Sequence, residues 1–157
     1  MKRLSLLATL FATAFTPAFA ASTVTVIHGK TPDPVYLDLG VEGASVGDQR
    51  IFEFGGATTE GEAVTLDFLM TTTGLPEDGS ELENRMTVAV FTFGNGSGDR
   101  VMIEGLGQYP QAGSTVKVDA ALERAIVGGT GKYAGARGTV VSTHLADGSW
   151  QHVLNLD

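Results

Sequence analysis

The sequence predicts an all-β protein: an eight-stranded antiparallel up-and-down β-barrel that follows a cleaved signal peptide. Runs of β-branched and aromatic residues recur along the chain, and clusters of turn-forming residues separate them. There are eight such runs, the number at which a meander of neighbouring strands closes into a small barrel. Closure would remove the two unpaired edges, which are an aggregation hazard in a sheet rich in valine and threonine.

The first twenty residues have the features of a secretory signal peptide. Lys2 and Arg3 give a positive start, the following apolar run is too short to span a membrane, and Ala-Phe-Ala at 18–20 is a small-x-small cleavage signal. We therefore expect residues 1–20 to be removed and residues 21–157 to fold as one domain of a secreted or periplasmic protein. No later stretch approaches the ~20 apolar residues of a membrane helix, so no membrane span is expected.

The first four predicted strands contain residues that favour extended backbone. A run rich in Thr and Val at 22–28 is the first, and QRIFEFGGA at 49–57 is the second, which ends before the turn sequence TEGE. The third and fourth strands, at 64–73 and 84–93, flank the sequence GLPEDGSELE, which is rich in turn formers.

The last four strands are predicted at 99–107, 115–127, 138–145 and 149–156, and GNGSG, YPQAGS, GGTGKYAGA and ADG mark the turns before each of them. The segment 119–127 also contains good helix formers. We predict a strand there because two glycines follow at once and the β-branched sequence TVKV leads into it.

The strands at 64–73 and 84–93 carry apolar residues in both of their alternating sets. An isolated barrel needs only an apolar interior and can keep a polar exterior. Apolar residues on both faces therefore indicate that the outside is covered too, most simply by other subunits, so a homo-oligomer is expected.

Composition narrows the classes of partner and chemistry. The chain has 10 basic and 18 acidic residues, a net charge of −8, and it becomes more acidic when the leader is lost. An acidic surface repels phosphate backbones, so nucleic acid is not expected as a partner. The chain has no cysteine, which excludes thiol catalysis, disulfides and cysteine metal sites.

The glycine-rich stretch GGTGKYAGARG at 128–138 looks at first like a phosphate-binding loop. A P-loop needs Gly, four residues, then Gly-Lys-Ser/Thr, but Ile126 stands at the first glycine position and Tyr133 at the hydroxyl position. The dinucleotide pattern G-x-G-x-x-G fails at Ala134. No nucleotide, and no other cofactor, is expected.

The same glycines predict a tight reversal of the chain. We expect Gly128 and Gly129 to leave one strand at backbone angles closed to other residues. Gly135 and Gly138 flank the start of the next strand, where close approach of two backbones or barrel curvature favours glycine.

The stretch AIVGGTGKYAGARGTV at 125–140 resembles the segment shared by dirigent proteins and the allene oxide cyclase barrel superfamily, particularly its bacterial members. VYLDLGVEGASVGDQRIFEF at 35–54 resembles the segment that carries the Ser-x-Gly-Asp-Gln turn, and DGSWQHVLNL at 147–156 resembles the closing strand. The resemblance covers residues 35–157. It implies an eight-stranded antiparallel barrel with an apolar cavity, commonly trimeric, and in plant members the steering of a reactive apolar intermediate through cyclisation or coupling.

Arg137 stands where dirigent proteins, by this resemblance, carry a pocket arginine. A guanidinium at a cavity mouth holds a substrate oxygen or stabilises developing negative charge. The alternative is a structural arginine that pairs with Asp48 or Glu104. Tyr133 either donates a hydrogen bond to a ligand or caps the barrel.

Asp67 and Glu104 each lie in an otherwise apolar strand and are candidate proton-transfer groups. An inward-facing acid would be desolvated, with a pKa raised into a useful range, whereas an outward-facing acid would be an ordinary surface charge. Strand alternation leaves both alternatives open. The plant cyclases use a glutamate on the first strand, and the run at 22–28 has no acid, so their mechanism does not transfer intact.

His144 and His152 raise the question of a metal site. A two-residue turn at Asp147–Gly148 would point the two histidines to opposite faces, and a three-residue turn would set them opposite each other on one face. A third ligand is not evident in either case, so no metal is expected.

The leading functional hypothesis is an exported barrel that encloses a small hydrophobic molecule and steers its cyclisation or coupling, with Phe52, Phe68, Phe91 and Tyr133 as candidate ligand-binding residues. The alternative is a non-catalytic carrier that resembles lipocalins in its logic. A third option is an oligomerisation protein whose barrel is packed solid by its phenylalanines.

Overall fold

The computed structural model describes residues 21–77, 80–96, 98–111, 113 and 115–157. The predicted signal peptide, residues 1–20, lies outside them. The described residues form strands β1 (Ser22–His28), β2 (Val35–Leu37), β3 (Gln49–Thr58), β4 (Ala63–Gly74), β5 (Leu82–Phe93), β6 (Asp99–Pro110), β7 (Ala121–Thr130), β8 (Gly138–His144) and β9 (Trp150–Leu156), with a 3-10 turn at Gly131–Tyr133. Across these ranges, no helix has the length and apolar character needed to cross a membrane.

Eight of these strands form a closed antiparallel barrel. The order around it is β1, β9, β8, β7, β6, β5, β4, β3, and β3 pairs again with β1 at Val26↔Thr58 and Ile27↔Ala57. Strand β2 adds a short outer ribbon, paired with β3 at Val35↔Ile51. Consecutive barrel strands are therefore spatial neighbours, and the predicted all-β, eight-stranded antiparallel up-and-down barrel is confirmed.

Several strand boundaries differ from the sequence prediction, because β5 already begins at Leu82 and β6 continues to Pro110. The strand predicted at 115–127 begins only at Ala121, because residues 117–120 form a turn in which the Ala120 amide donates to the Lys117 carbonyl and Asp119 has φ +62°. This strand then continues as far as Thr130. Strand β2 was not predicted, since three residues are too short a run to show alternation.

The glycine-rich stretch makes the predicted reversal, but its individual glycines have different roles from those predicted. Gly128 and Gly129 stay within β7, so the prediction that they leave the strand at unusual backbone angles is wrong. Gly129 is required by space: a Cβ there would clash with the Tyr133 carbonyl and lie 2.7 Å from the Arg100 carbonyl oxygen. The close approach predicted at Gly138 is confirmed, because a Cβ there would overlap the Asn155 carbonyl.

The barrel interior changes in character along its axis. The end at the Gly131–Tyr133 turn is apolar, with the Tyr133 ring 4.7 Å from that of Phe93. We call the opposite end the mouth; there β4, β6 and β8 end at Gly74, Pro110 and His144. Buried polar and charged side chains gather toward the mouth: Arg50, Thr72, Glu83, Arg85, Thr87 and Arg124.

The outside of the sheet carries an apolar row that crosses four strands. Val35, Ile51, Leu69 and Val88 are consecutive partners in the registers of β2, β3, β4 and β5. Their side chains are 62%, 40%, 37% and 44% exposed. We call these four residues the outer apolar row.

The crowding at Gly129 gives a stability prediction with a matched control. Gly129→Ala should lower the free energy of unfolding by roughly 1–3 kcal/mol, because fixed backbone atoms cannot move away from the added methyl group. Gly55→Ala, also in a strand but with nothing within 4 Å of its added Cβ, should leave it unchanged or raise it by up to about 1 kcal/mol. Urea denaturation measures both, and equal stabilities of the two variants would contradict the assigned close approach.

Candidate functional site

A cavity opens at the mouth of the barrel, and aromatic rings form a large part of its wall. Five of the lining residues are Phe52, Phe54, Phe68, Tyr109 and Trp150. The free volume is small, about 30 Å³ for the centre of a water molecule, against the ~10–15 Å³ that one water requires. In this conformation the cavity is a narrow slot.

Two stacked histidines form the polar part of that wall. His28 ends β1 and His152 lies on the adjacent β9, and their ring centroids are 5.1 Å apart with an interplanar angle of 18°. The Nδ1 of His28 lies 2.7 Å from the Gly29 carbonyl oxygen. Because a carbonyl only accepts, Nδ1 carries the proton in neutral His28, and its Nε2 is left as an acceptor.

His152 faces Ser142 across the β8–β9 ladder. The Ser142 hydroxyl and the His152 Nδ1 are 2.8 Å apart. The His152 Nε2 is buried and has no hydrogen-bond partner among the described residues. Either tautomer therefore leaves Nε2 with one unused hydrogen-bonding capacity inside the barrel.

Both histidines are neutral at pH 7. Burial, followed by the positive fields of His28 and Arg124, lowers the pKa of His152 from 6.5 to about 3. Burial also lowers the pKa of His28 from 6.5 to about 4, against a smaller raising effect of its bond to Gly29. The cavity wall thus offers uncharged imidazole edges rather than imidazolium ions.

Arg124 brings a guanidinium to the same cavity from β7. Its Nη2 donates to the Tyr109 hydroxyl, with Thr87 Oγ1 at 3.5 Å, and its buried Nε is unpartnered within the described part of the chain. A glycine on β6 leaves room for the side chain, because a Cβ at Gly105 would lie 2.9 Å from the Arg124 Cγ.

A second group of charges lies toward the mouth. Glu83 Oε1 accepts from Arg85 Nε at 2.6 Å and lies 3.3 Å from Arg50 Nη1. Thr72 Oγ1 connects the group, as it accepts from Arg50 at 3.2 Å and donates to Glu83 at 3.1 Å. The Arg85 guanidinium lies 5.0 Å from the centre of the Tyr109 ring, which links this group to Arg124.

The Ser-x-Gly-Asp-Gln turn holds the segment that covers the side of the mouth. The Asp48 carboxylate accepts from the Ser45 amide at 2.9 Å, the Tyr36 hydroxyl at 2.7 Å and the Leu39 amide at 2.9 Å. Bonds from the Ser45 amide and the Tyr36 hydroxyl are the main reasons that the pKa of Asp48 falls to about 2. The Tyr36 ring in turn lies against the Arg50 guanidinium, 4.9 Å from its centre.

The predicted ligand-binding residues are divided between the two ends of the barrel. Phe52 and Phe68 line the cavity, and the Phe91 ring is buried beside it, 5.3 Å from the ring of His152. Tyr133 is at the far end, packed on Phe93, where it closes the barrel. Of its two predicted roles, its position matches capping.

The predicted catalytic residues lie outside the cavity. Asp67 and Glu104 are in the outward-facing sets of β4 and β6, whereas Leu66, Phe68 and Ile103 beside them are buried and point inward. Arg137 is exposed, and its Nη1 donates to the carbonyls of Val127 and Ala136 at 2.9 and 2.8 Å. The described geometry does not bring the three together, so their catalytic role stays a prediction.

The histidine pair on β8 and β9 follows neither of the two turn geometries considered. Five residues, 145–149, connect the strands, so His144 pairs with Trp150 and His152 with Ser142. Both histidines therefore face inward, one step apart along the barrel. Among the residues with a described position, no three His, Asp or Glu side chains group as metal ligands.

Sequence reasoning did not predict several residues of this site, among them His28, Tyr109, Arg124 and Ser142. One signal was present for Arg124, which shares its alternation phase with Leu122 and Ile126 and is therefore an inward charge. Placing Ser142 opposite His152 required the register across the 145–149 turn, which the sequence does not give.

Comparison with known proteins identifies the fold. No protein-family model and no curated protein matches the chain. Among solved structures, one described as pyocyanin demethylase has a TM-score of 0.63 and 20% identity, covering 88% of this chain and 100% of its own. A pterocarpan synthase dirigent protein has a TM-score of 0.54 and 16% identity, covering 92% and 96%. Both are allene oxide cyclase/dirigent-like barrels, and this chain has that barrel fold, as the resemblance implied.

The lowered histidine pKa values predict a pH dependence of stability. Between pH 6.5 and about 4, the unfolded chain binds protons at His28 and His152 that the folded protein does not. The free energy of unfolding should therefore fall as the pH drops through this window, by up to roughly 1.4 kcal/mol per pH unit for each histidine. Urea denaturation across this window measures the slope.

The double variant His28→Gln/His152→Gln should flatten that slope. Asp48→Asn is the control, because the pKa of Asp48 falls from 3.8 to about 2, and the stability that it contributes is lost only as the pH falls through that lower window. A double variant that keeps the full slope of the wild type above pH 4 would show that the two histidines titrate normally.

Proposed function

We propose that the barrel binds a small, flat, largely apolar molecule in its mouth cavity and holds it in one orientation, steering its cyclisation or coupling. The observation that carries this proposal is the convergence of His152, Ser142 and Arg124 on one aromatic-walled cavity. Ligand sites in proteins are mostly apolar clefts with a few well-placed polar groups.

The wall suits a flat ring. Phe54 and Phe68 are stacked with centroids 5.7 Å apart, and Trp150 is nearly parallel to both His28 and His152, at 10° and 9°. Aromatic rings bury a large apolar area and prefer offset stacked or edge-on contacts with other rings. A planar guest would extend these stacks once the side chains move apart to admit it, because the free volume of about 30 Å³ holds only a few water molecules.

Two unpartnered nitrogen atoms at the cavity could hydrogen-bond to an oxygen atom of the ligand. The His152 Nε2 and the Arg124 Nε are both buried without a partner among the described side chains, and an unmet buried hydrogen-bonding group costs about 1–3 kcal/mol. A ligand oxygen that engages either atom would recover this cost. The neutral imidazoles make this hydrogen bonding rather than strong-base chemistry, since their pKa values lie near 3 and 4.

Steering of this kind needs no cofactor. Holding a flexible reactant, or two reactants, in a near-attack geometry lowers the activation free energy by several kcal/mol, because the entropy cost of positioning is met on binding. The names of the two structural neighbours, a demethylase and a pterocarpan synthase dirigent protein, state small-molecule chemistry for those proteins. For this chain they support the proposal by analogy of fold.

A non-catalytic carrier is the second candidate. It is favoured by the absence of a carboxylate among the residues that line the described cavity, since a proton acceptor is a common requirement of cyclisation. Carrier and cyclase share the same cavity and differ in whether the bound molecule is converted.

We further propose that the protein is exported after loss of residues 1–20 and that it assembles as a homo-oligomer, a trimer by the resemblance. The outer apolar row supports the assembly. Its four side chains stand in one register across β2 to β5, and a contiguous exposed apolar patch is typical of a protein interface.

Ligand binding has a built-in reporter, because the only tryptophan, Trp150, lines the cavity. 4-Nitrobenzyl alcohol and 4-nitrotoluene share a ring and differ in one hydroxyl group. Both should quench Trp150 with saturation, and the alcohol should bind more tightly. His152→Phe keeps the ring but removes Nε2, and should weaken alcohol binding by about tenfold while leaving 4-nitrotoluene within about twofold.

His144→Phe is the matched control, since His144 does not line the cavity and the phenylalanine keeps the ring that stacks on Trp150; it should change neither affinity. Quenching that stays linear in probe concentration, as collision gives, would rule out the cavity as a binding site. Mass spectrometry of small molecules that co-purify with the protein, before and after incubation, then separates a cyclase from a carrier.

The proposed homo-oligomer is tested by introducing a charged residue into the outer apolar row. Leu69→Lys should convert the assembly to monomers, because a lysine cannot be desolvated cheaply in an apolar contact. Thr65→Lys, four residues earlier on the same outward face of β4, is the control and should leave the assembly intact. Light scattering during gel filtration gives the masses, and a monomeric wild type at micromolar concentration would refute the assembly.

A further inference from the structure

The mouth of the barrel buries more positive than negative charge, and we infer from this that the ligand is an anion: a flat aromatic carboxylate whose carboxylate group pairs with Arg124. This inference rests on the proposed binding function of the cavity and specifies the class of molecule that enters it.

The charge excess follows from the described side chains. Arg50, Arg85 and Arg124 are 6%, 0% and 4% exposed, and Glu83 is the buried carboxylate that faces them. Glu83 is shared between Arg50 and Arg85. With Asp48, which is 1% exposed, three guanidinium groups thus stand against two buried carboxylates in a region where water is largely excluded.

Arg124 is the cation left without an acid. Its hydrogen-bond partners, Tyr109 and Thr87, are neutral hydroxyl groups. The other titratable groups in the cavity wall are His28 and His152, which are uncharged at pH 7. Asp48, the nearest buried carboxylate of the covering segment, is occupied by Ser45, Tyr36 and Leu39. A buried charge without a counter-charge is strongly unfavourable, so an anion that enters here is selected over a neutral molecule of equal shape.

The geometry favours a carboxylate among anions. The Arg124 Nε is buried and unpartnered in the described structure, and a guanidinium presents its donors as a planar fork that matches the two oxygens of a carboxylate. If the Ser142 hydroxyl donates to His152 Nδ1, the Nε2 proton of that imidazole is a further donor in the same cavity. The ring of the ligand then lies along the stacked Phe54 and Phe68.

The alternative explanation for the unpartnered Arg124 Nε is a water molecule at the mouth, because a hydrated guanidinium would need no anion. The two accounts differ in selectivity. A hydrated guanidinium prefers a charged guest to a neutral one only weakly, whereas an uncompensated buried cation discriminates strongly between them.

The test compares 4-nitrobenzoate with 4-nitrobenzamide, which have the same shape and differ in charge, using quenching of Trp150 in the mature protein at pH 7. We expect the carboxylate to bind about tenfold or more tightly than the amide. The preference should persist on adding salt, because a buried ion pair is screened far less than a surface one. This measurement on the wild type needs no variant to fold.

Variants then assign the preference to Arg124. Arg124→Met should abolish it while leaving the affinity for the amide within about twofold, and Arg124→Lys should retain part of it, because the charge remains but the planar fork is lost. Arg100→Met, an exposed arginine on the outward face of β6, is the matched control and should have no effect. Circular dichroism verifies that each variant is folded.

Each outcome has a separate meaning. Equal affinity of the wild type for the two probes overturns the inferred anion and leaves the cavity as a neutral-ligand site. A preference that survives in both folded Arg124 variants removes Arg124 as its origin and also overturns the inference. If neither probe, nor the neutral pair used above, quenches with saturation, the proposed function itself fails.

Discussion

Closure of the sheet between β1 and β3 is the constraint on which the other features depend. Only Val26↔Thr58 and Ile27↔Ala57 are paired there, far fewer than in the neighbouring ladders. Those pairs turn a twisted sheet into a tube with an inside, and only an inside can hold Arg85 and Glu83 away from water. Without closure, the inward set of each strand would be an ordinary sheet face, and neither the lowered histidine pKa values nor the charge group would exist.

The two halves of the barrel interior differ: one is apolar, and the other carries buried polar and charged side chains. At the Tyr133 end, aliphatic and aromatic residues fill the interior and supply most of the apolar burial. Toward the mouth, the inward positions carry arginines, histidines and hydroxyls whose burial opposes stability unless each is paired. The apolar half offsets this cost, which is the usual relation between a stabilising core and a functional site that is locally unfavourable.

Most of the fold was readable from the sequence, because strand period and turn composition are local properties. The run at 22–28 matched β1, and the runs at 49–57 and 138–145 matched β3 and β8 within a residue. The prediction for the segment before Ala121 was wrong because the chain turns at residues 117–120, where Asp119 takes up a left-handed conformation. Aspartate tolerates that conformation, but the β-branched run before it favoured a strand. Strand β2 depends on its partner β3 and has no pattern of its own.

The site was less readable, because it depends on which alternating set faces inward and on turn lengths. Asp67 on β4 and Arg124 on β7 are both charged residues with apolar residues near them in the strand, yet Asp67 points outward and Arg124 inward. The five residues of the 145–149 turn, rather than two or three, set His152 against Ser142. The pocket role of Arg137 was predicted from the family resemblance. A similar glycine segment indicates a similar backbone path, but it does not determine where an exposed side chain points.

Gly105 has a consequence for how such a barrel diversifies. It leaves open the volume that the stem of Arg124 occupies, so the electrostatic character of the cavity depends on a residue of the adjoining strand. A single methyl group acquired there would displace the guanidinium and alter which guests are admitted, although the altered position touches none of them. In lineages built on this scaffold, shifts in chemical preference can therefore originate at small residues behind the wall.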